Sequence, residues 1–208
     1  MKRRILLAAV AAAACATTAG CFAAPPTTAA AGGERRLRVG SAFAPDRQMS
    51  PYTDDATLVT QFGAAEPLVQ LRPDGQVGPA LAVSWTQPDA RTLRLTLRDG
   101  VTFHDGAALT AQAAVDALNH AAAAKPAPRA IAAVRLTATT IDDKTLEVRT
   151  EQPDPVLLNR LASPQLVILA PRAYAKEPGR PDPIGHGTGP GPTGCRHVFA
   201  VHVPDIGV

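Results

Sequence analysis

The sequence predicts a mixed α+β fold in which short antiparallel hairpins outnumber helices. Three observations carry that prediction. Residues 92–98 alternate strictly, with Leu93, Leu95 and Leu97 on one side and Arg94, Thr96 and Arg98 on the other. A period of two with one apolar side is the mark of a half-buried antiparallel strand. Residues 134–141 and 145–150 bracket Asp142-Asp143-Lys144, a turn between two extended runs. Finally, Ala114, Val115, Leu118, Ala121 and Ala122 form one helical stripe after Thr110, whose hydroxyl suits an N-cap, and Lys125-Pro126-Ala127-Pro128 stops that helix near Ala124.

Taken in order, the chain opens on an address. Lys2-Arg3-Arg4 precede about ten apolar residues from Ile5, too few to span a bilayer but right for a secretion signal. Thr18-Ala19-Gly20-Cys21 resembles the bacterial lipobox, which implies cleavage before Cys21 and lipidation of its sulfur. An ordinary secretory signal, with Cys21 incidental, is the other reading. Residues 22–33 are small, proline-rich and uncharged, the composition of a tether. The chain therefore divides into a signal peptide (1–20), a flexible tether (21–36), a folded lobe (37–190) and an irregular tail (191–208). Most of the formal charge of +3 sits in the leader, so the basic balance gives no reason to expect nucleic acid.

In the folded part, residues 37–42 alternate as a strand, and Pro45 and Pro51 force a loop. Thr53 or Asp54 then caps a helix carrying Leu58, Val59 and Phe62 on one face. Residues 66–71 are extended and end in Arg72-Pro73-Asp74-Gly75, where proline fixes φ and glycine takes the left-handed position. Strands at 81–85 and 92–98 flank a turn at residues 87–90. Asp99-Gly100 and Asp105-Gly106 bound a short strand at 101–103. Pro155 is placed in the first turn of a helix running to Leu161. Residues 166–169 read as a buried strand, and a short helix follows Pro171 around residues 173–176. No segment after the leader approaches the length of a membrane span.

A run of small motifs carries a resemblance. Glu66-Pro67-Leu68-Val69, Asp74-Gly75, Pro79-Ala80-Leu81-Ala82 and Ser84-Trp85 stand in order. Leu97-Arg98-Asp99-Gly100-Val101, Phe103-His104-Asp105-Gly106 and Leu109-Thr110-Ala111 follow. Downstream lie Pro171-Arg172-Ala173-Tyr174, Pro183-Ile184 and Gly187-Thr188-Gly189-Pro190, with Gly185-His186 as a small insertion. In this order and spacing the chain resembles family 5 of the bacterial solute-binding proteins, the peptide and nickel receptors of ABC importers. The resemblance implies the first lobe, incomplete, of a periplasmic-binding-protein-like type II fold that closes on its solute by hinge motion. It also implies partnership with a membrane permease, an extracytoplasmic, lipid-anchored location, a monomer, and binding without catalysis or cofactor. Family members are much longer, and after Gly189-Pro190 the pattern stops. The tail is therefore expected to be out of frame or the product of a truncated gene, leaving open a fragment that binds nothing.

The resemblance places Tyr52, Thr53 and Thr57 along the solute cleft, where hydroxyls beside a helix start suit carboxylate or backbone recognition. Helix capping and surface packing explain the same residues equally well. Thr188 and Gly189 are candidate ligand contacts in the passage toward the second lobe, or simply a loop. His104-Asp105 has no nucleophile to serve and reads as a turn. Cys195, His197, His202 and His186 lack a metal-ligand spacing, so no metal is expected. The nickel branch tends to carry an arginine where this chain has Val167, which favours a peptide over a nickel chelate as the solute.

Overall fold

The computed structural model describes residues 49–175 and 179–189. The signal and tether with Cys21, the expected strand at 37–42 and the tail from 191 lie outside the described residues. Within them the order is α1 (Ala56–Gln61), β1 (Val69–Leu71), β2 (Val77–Pro79), β3 (Ala82–Asp89), β4 (Thr92–Leu97), α2 (Ala111–Ala123), β5 (Leu136–Thr140), β6 (Thr145–Thr150) and α3 (Leu157–Arg160). Two 3-10 turns follow, Pro164–Leu166 and Pro171–Tyr174. The expected mixed α+β class holds.

β3, β4, β6 and β5 form an antiparallel sheet in that spatial order, and β1 and β2 form a separate hairpin. Register follows the leucine alternation. Leu93 lies opposite Val148, which lies opposite Ala138, and Leu95 lies opposite Leu146. These side chains share one buried face, against which α2 sets Ala114, Val115, Leu118 and Ala121. The other face is wet: Arg94 lies opposite Glu147 and pairs with it at 3.2 Å. Thr110 caps α2 as its sequence suggests, its hydroxyl accepting from the Ala113 N–H at 3.1 Å.

Both margins of this sheet are blunted. On β5 the outward backbone of Ala138 is taken by α2: Asn119 donates to its carbonyl at 2.9 Å and accepts from its N–H at 2.8 Å. On β3 the register shifts between Thr86 and Asp89, around Pro88. Proline has no N–H to give a ladder, and an edge strand with a bulge is where a sheet tolerates it. That is why β3 continues through Pro88 and turns only at Ala90-Arg91, later than the expected turn at 87–90.

A smaller core of Met49, Val59, Ala65, Val167, Leu169 and Ala173 sits under α1. An extended link joins the two cores. Glu66 O accepts from the Ile168 N–H at 2.9 Å, and Leu68 O accepts from the Ala82 N–H at 2.7 Å.

Four expectations need correction. Residues 166–169 are not a strand. Ser163 accepts from the Gln165 N–H and Pro164 starts a 3-10 turn, leaving Val167 a single bridge to Pro67. Residues 101–103 likewise reduce to one bridge, Thr102 to Ala108, because the Asp105-Gly106 turn closes at once. Pro155 precedes α3 instead of entering it. Asp154 accepts from the Val156 N–H and grips Arg160 at 2.6 Å, so the turn is set from Asp154. The N-cap position of α1 falls at Asp55, not Thr53 or Asp54, and its side chain makes no capping hydrogen bond.

Replacing Asn119 by alanine is expected to leave both polar groups of Ala138 unpaired. An unpaired buried group costs about 1–3 kcal/mol, so the urea unfolding midpoint should fall by a corresponding amount with the slope unchanged.

Candidate functional site

Four of the five candidate residues lie on two structures at opposite ends of α1, and Thr57 lies on α1 itself. The first is the loop before it. Asp55 is buried and its carboxylate accepts from the Met49 N–H at 3.1 Å, folding the loop back on itself. Thr53 is consumed in that turn: its hydroxyl donates to Ser50 O at 2.9 Å and accepts from the Asp55 N–H at 3.3 Å. Thr57 is exposed on the helix surface. Tyr52 instead turns toward the last turn of α2. Its hydroxyl meets His120 Nδ1 at 3.3 Å, and the His120 ring packs 4.5 Å from that of Tyr174.

Burial decides the protonation of this trio. It pushes the Tyr52 hydroxyl well above its ordinary range, with Tyr174 adding to the rise, and raises Tyr174 in the same way. Burial also holds His120 below the ordinary imidazole value, so the ring is neutral near pH 7. A neutral imidazole accepts at one nitrogen, which suits a donating tyrosine hydroxyl.

The second structure lies past the C-terminal end of α1. Gly63 takes a positive φ of 63° to end the helix. The segment 186–189 then runs hard against it. A Cβ on Gly187 would stand 1.7 Å from Ala64 O, and one on Gly189 would stand 1.9 Å from Gly63 O. From the other side His104 holds the segment twice: its N–H donates to Gly187 O and its Nε2 bonds Gly189 O, both at 2.8 Å. The Ala170 N–H reaches His186 O at 2.8 Å. His104 is therefore more than a turn residue; it clasps this passage. The hydroxyl oxygens of Ser50 and Thr188 are buried with no hydrogen-bond partner among the described residues.

The structure does not gather the five candidates around one cavity. Tyr52 and Thr53 share the first loop, Thr188 and Gly189 the crossing segment, and Thr57 stands alone. Two open clefts are formed by other residues. One of about 410 Å³ lies at the sheet end between Arg91, Arg135 and Arg149. Another of about 270 Å³ lies beside His120, Lys125 and Gly179. His120 escaped the sequence reading; its one signal was a histidine flanking the apolar stripe in the last turn of a helix.

The motif order, the leucine hairpin and this glycine passage have a counterpart in known proteins. The model of the bacterial extracellular solute-binding proteins, family 5 (its middle part) matches residues 76–190, more than half of the chain. The chain belongs to this family. Among curated family-5-like proteins, the nickel-binding protein NikA of Staphylococcus aureus is 28% identical over 141 residues, covering 68% of this chain and 28% of that protein. The nickel-binding periplasmic protein of Escherichia coli is 48% identical over 60 residues, 28% of this chain and 12% of that one. Among solved structures, an ABC transporter substrate-binding protein from Sinorhizobium meliloti superposes with a TM-score of 0.62 at 29% identity. It covers 74% of this chain and 32% of that chain. S. aureus NikA in complex with Ni(L-His)2 gives 0.57 at 26% identity, covering 74% and 30%. The chain thus spans under a third of these relatives, and its fold is part of the type II periplasmic-binding-protein architecture.

Gly187→Ala is expected to expel segment 186–189 from its channel. Hydrogen exchange should speed markedly at the His104 and Ala170 amides, while the sheet amides of β4 and β6 stay protected. The buried trio also sets a pH window. Above the ordinary tyrosine value of 10.0, the unfolded chain ionises where folded Tyr52 and Tyr174 resist, so stability falls as pH rises past it. Below the ordinary histidine value of 6.5, the unfolded chain takes up a proton that folded His120 resists, so stability falls again. Denaturation midpoints across this range should show a plateau between the two limits, with the alkaline limb reduced in Tyr174→Phe.

Proposed function

We propose that the chain is the solute-capturing first lobe of an ABC importer's receptor, working outside the cytoplasmic membrane and handing its solute to the permease. Membership of the extracellular solute-binding family over residues 76–190 is the observation that carries this reading. The local geometry supports it. A receptor lobe of this kind needs a rigid sheet, a cleft wall and a defined passage to the rest of the protein. The leucine-rich sheet and the clasped Gly187–Gly189 segment answer the first and last of these needs, and we assign the cleft wall to the Tyr52 loop. Thr57, Thr188 and Gly189 remain candidate solute contacts, although the Thr188 hydroxyl oxygen is buried in this structure. Thr53, already bonded twice, serves the loop's shape. The role is binding without catalysis, and His104 spends its imidazole on a backbone carbonyl.

A short peptide is the first reading of the solute. Where a guanidinium would serve a chelate, Val167 is buried in the small core. A nickel chelate is the second reading, favoured by the two nickel-binding relatives. In either case the lobe is held at the outer membrane face by a lipid on Cys21, acts as a monomer and needs no cofactor.

Calorimetric titration of the full chain with mixed dipeptides, and separately with nickel–histidine, tests the function. Saturable heat with the peptides and none with the chelate is expected. The reverse result selects the chelate, and no heat with either identifies a fragment that cannot capture solute. In the same cells, labelled palmitate should enter the wild-type chain and not Cys21→Ser.

A further inference from the structure

The sequence reading places Tyr52 on the cleft wall but gives no reason for its ring to stay there. The structure supplies one. Tyr52 stands on a loop, three residues before the cap of α1, and a loop side chain is free to rotate unless something holds its tip. His120 stands on the last turn of a thirteen-residue helix whose stripe is buried in the main core. It is a post on a helix, standing beside a loop side chain.

We propose that His120 is the positioning residue for Tyr52: its Nδ1 takes the tyrosine hydroxyl, Tyr174 packs against its ring, and its exposed side lines the cleft beside Lys125. The proposal rests on the reading that Tyr52 faces solute, and it names the residue that would set the geometry of that contact.

The chemistry makes the post sensitive to acid. A neutral imidazole bonded in this way accepts at Nδ1 and keeps its hydrogen on Nε2. Protonation puts a hydrogen on Nδ1, reverses the bond and leaves the tyrosine hydroxyl proton without its acceptor. Among the described residues, three groups stand around the ring. Tyr52 comes from the loop before α1, Tyr174 from the second 3-10 turn, and Lys125 from just past the end of α2. Asp116, one turn earlier on α2, is engaged by Gln112 at 2.7 Å, and Asp54 by Arg129 at 3.2 Å. No carboxylate is therefore assigned to His120 among these neighbours, and burial disfavours the charged ring.

The chain has only two tyrosines, so ring-labelled tyrosine gives two NMR signals. In the full chain, titrated from pH 8 to pH 5, the Tyr52 signal is expected to move with the same midpoint as His120, below 6.5. His120→Ala should displace the Tyr52 signal and abolish its pH response. His120→Asn, which offers an amide oxygen near the place of Nδ1, should restore the neutral-pH position without any response to acid. A Tyr52 signal that ignores pH in the wild type, or titrates unchanged in His120→Ala, overturns the proposal.

The titrations with mixed dipeptides separate this from the reading beneath it. Tyr52→Ala and His120→Ala both weakened tenfold or more, with His120→Asn near wild type at pH 7.5, supports positioning. Loss in Tyr52→Ala alone overturns the role of His120 and leaves the cleft reading intact. Undiminished binding in Tyr52→Ala overturns both that reading and the positioning built on it.

Discussion

Between residues 187–189 and residues 63–65 two stretches of main chain approach so closely that no side chain fits between them. Much of the candidate site follows from that constraint. It fixes glycine at two positions and places their carbonyls against His104. It also lies just past the end of α1, where Gly63 takes a positive φ of 63°. Backbone contact of this kind is less adaptable than side-chain packing, since neither partner has a rotamer to change.

The main sheet supplies the rigidity against which this contact is made. β4 lies inside the sheet between β3 and β6, with Leu93 and Leu95 both essentially fully buried. Covering them with α2, a helix built chiefly of alanine, brings the helix close to the sheet. It also brings Asn119 within reach of a strand backbone. The alanine-rich composition, unpromising for a large core, thus enables a polar bond between helix and strand that bulkier residues would hold apart.

The period-two leucines, the Asp142 turn and the Thr110 cap were legible because each is decided by neighbours in sequence. The misreadings share a different cause. Residues 166–169 have the composition of a strand, but Ser163 and Pro164 wind the approach and leave Val167 only one bridge. β3 outruns its expected end because an edge position forgives Pro88. At the site, the family pattern pointed to Tyr52 and to the glycine passage, yet not to their keepers. His104 acts on residues more than eighty positions later and His120 on one sixty-eight earlier, separations that no local pattern encodes. Thr53 shows the converse: a hydroxyl well placed for a ligand in sequence is already used by its own loop.

Asn119 and Pro88 together interrupt the two margins along which a second copy could add. A strand at the margin of a sheet invites another chain to extend the ladder, and the invitation is read as an unbroken row of donors and acceptors. Here the row is interrupted at the middle of one margin by a side-chain amide and near the end of the other by an imino acid. Two such lobes crowded edge to edge cannot stitch into a continuous ribbon, so the same atoms that hold helix to sheet also guard the molecule against polymerising through it.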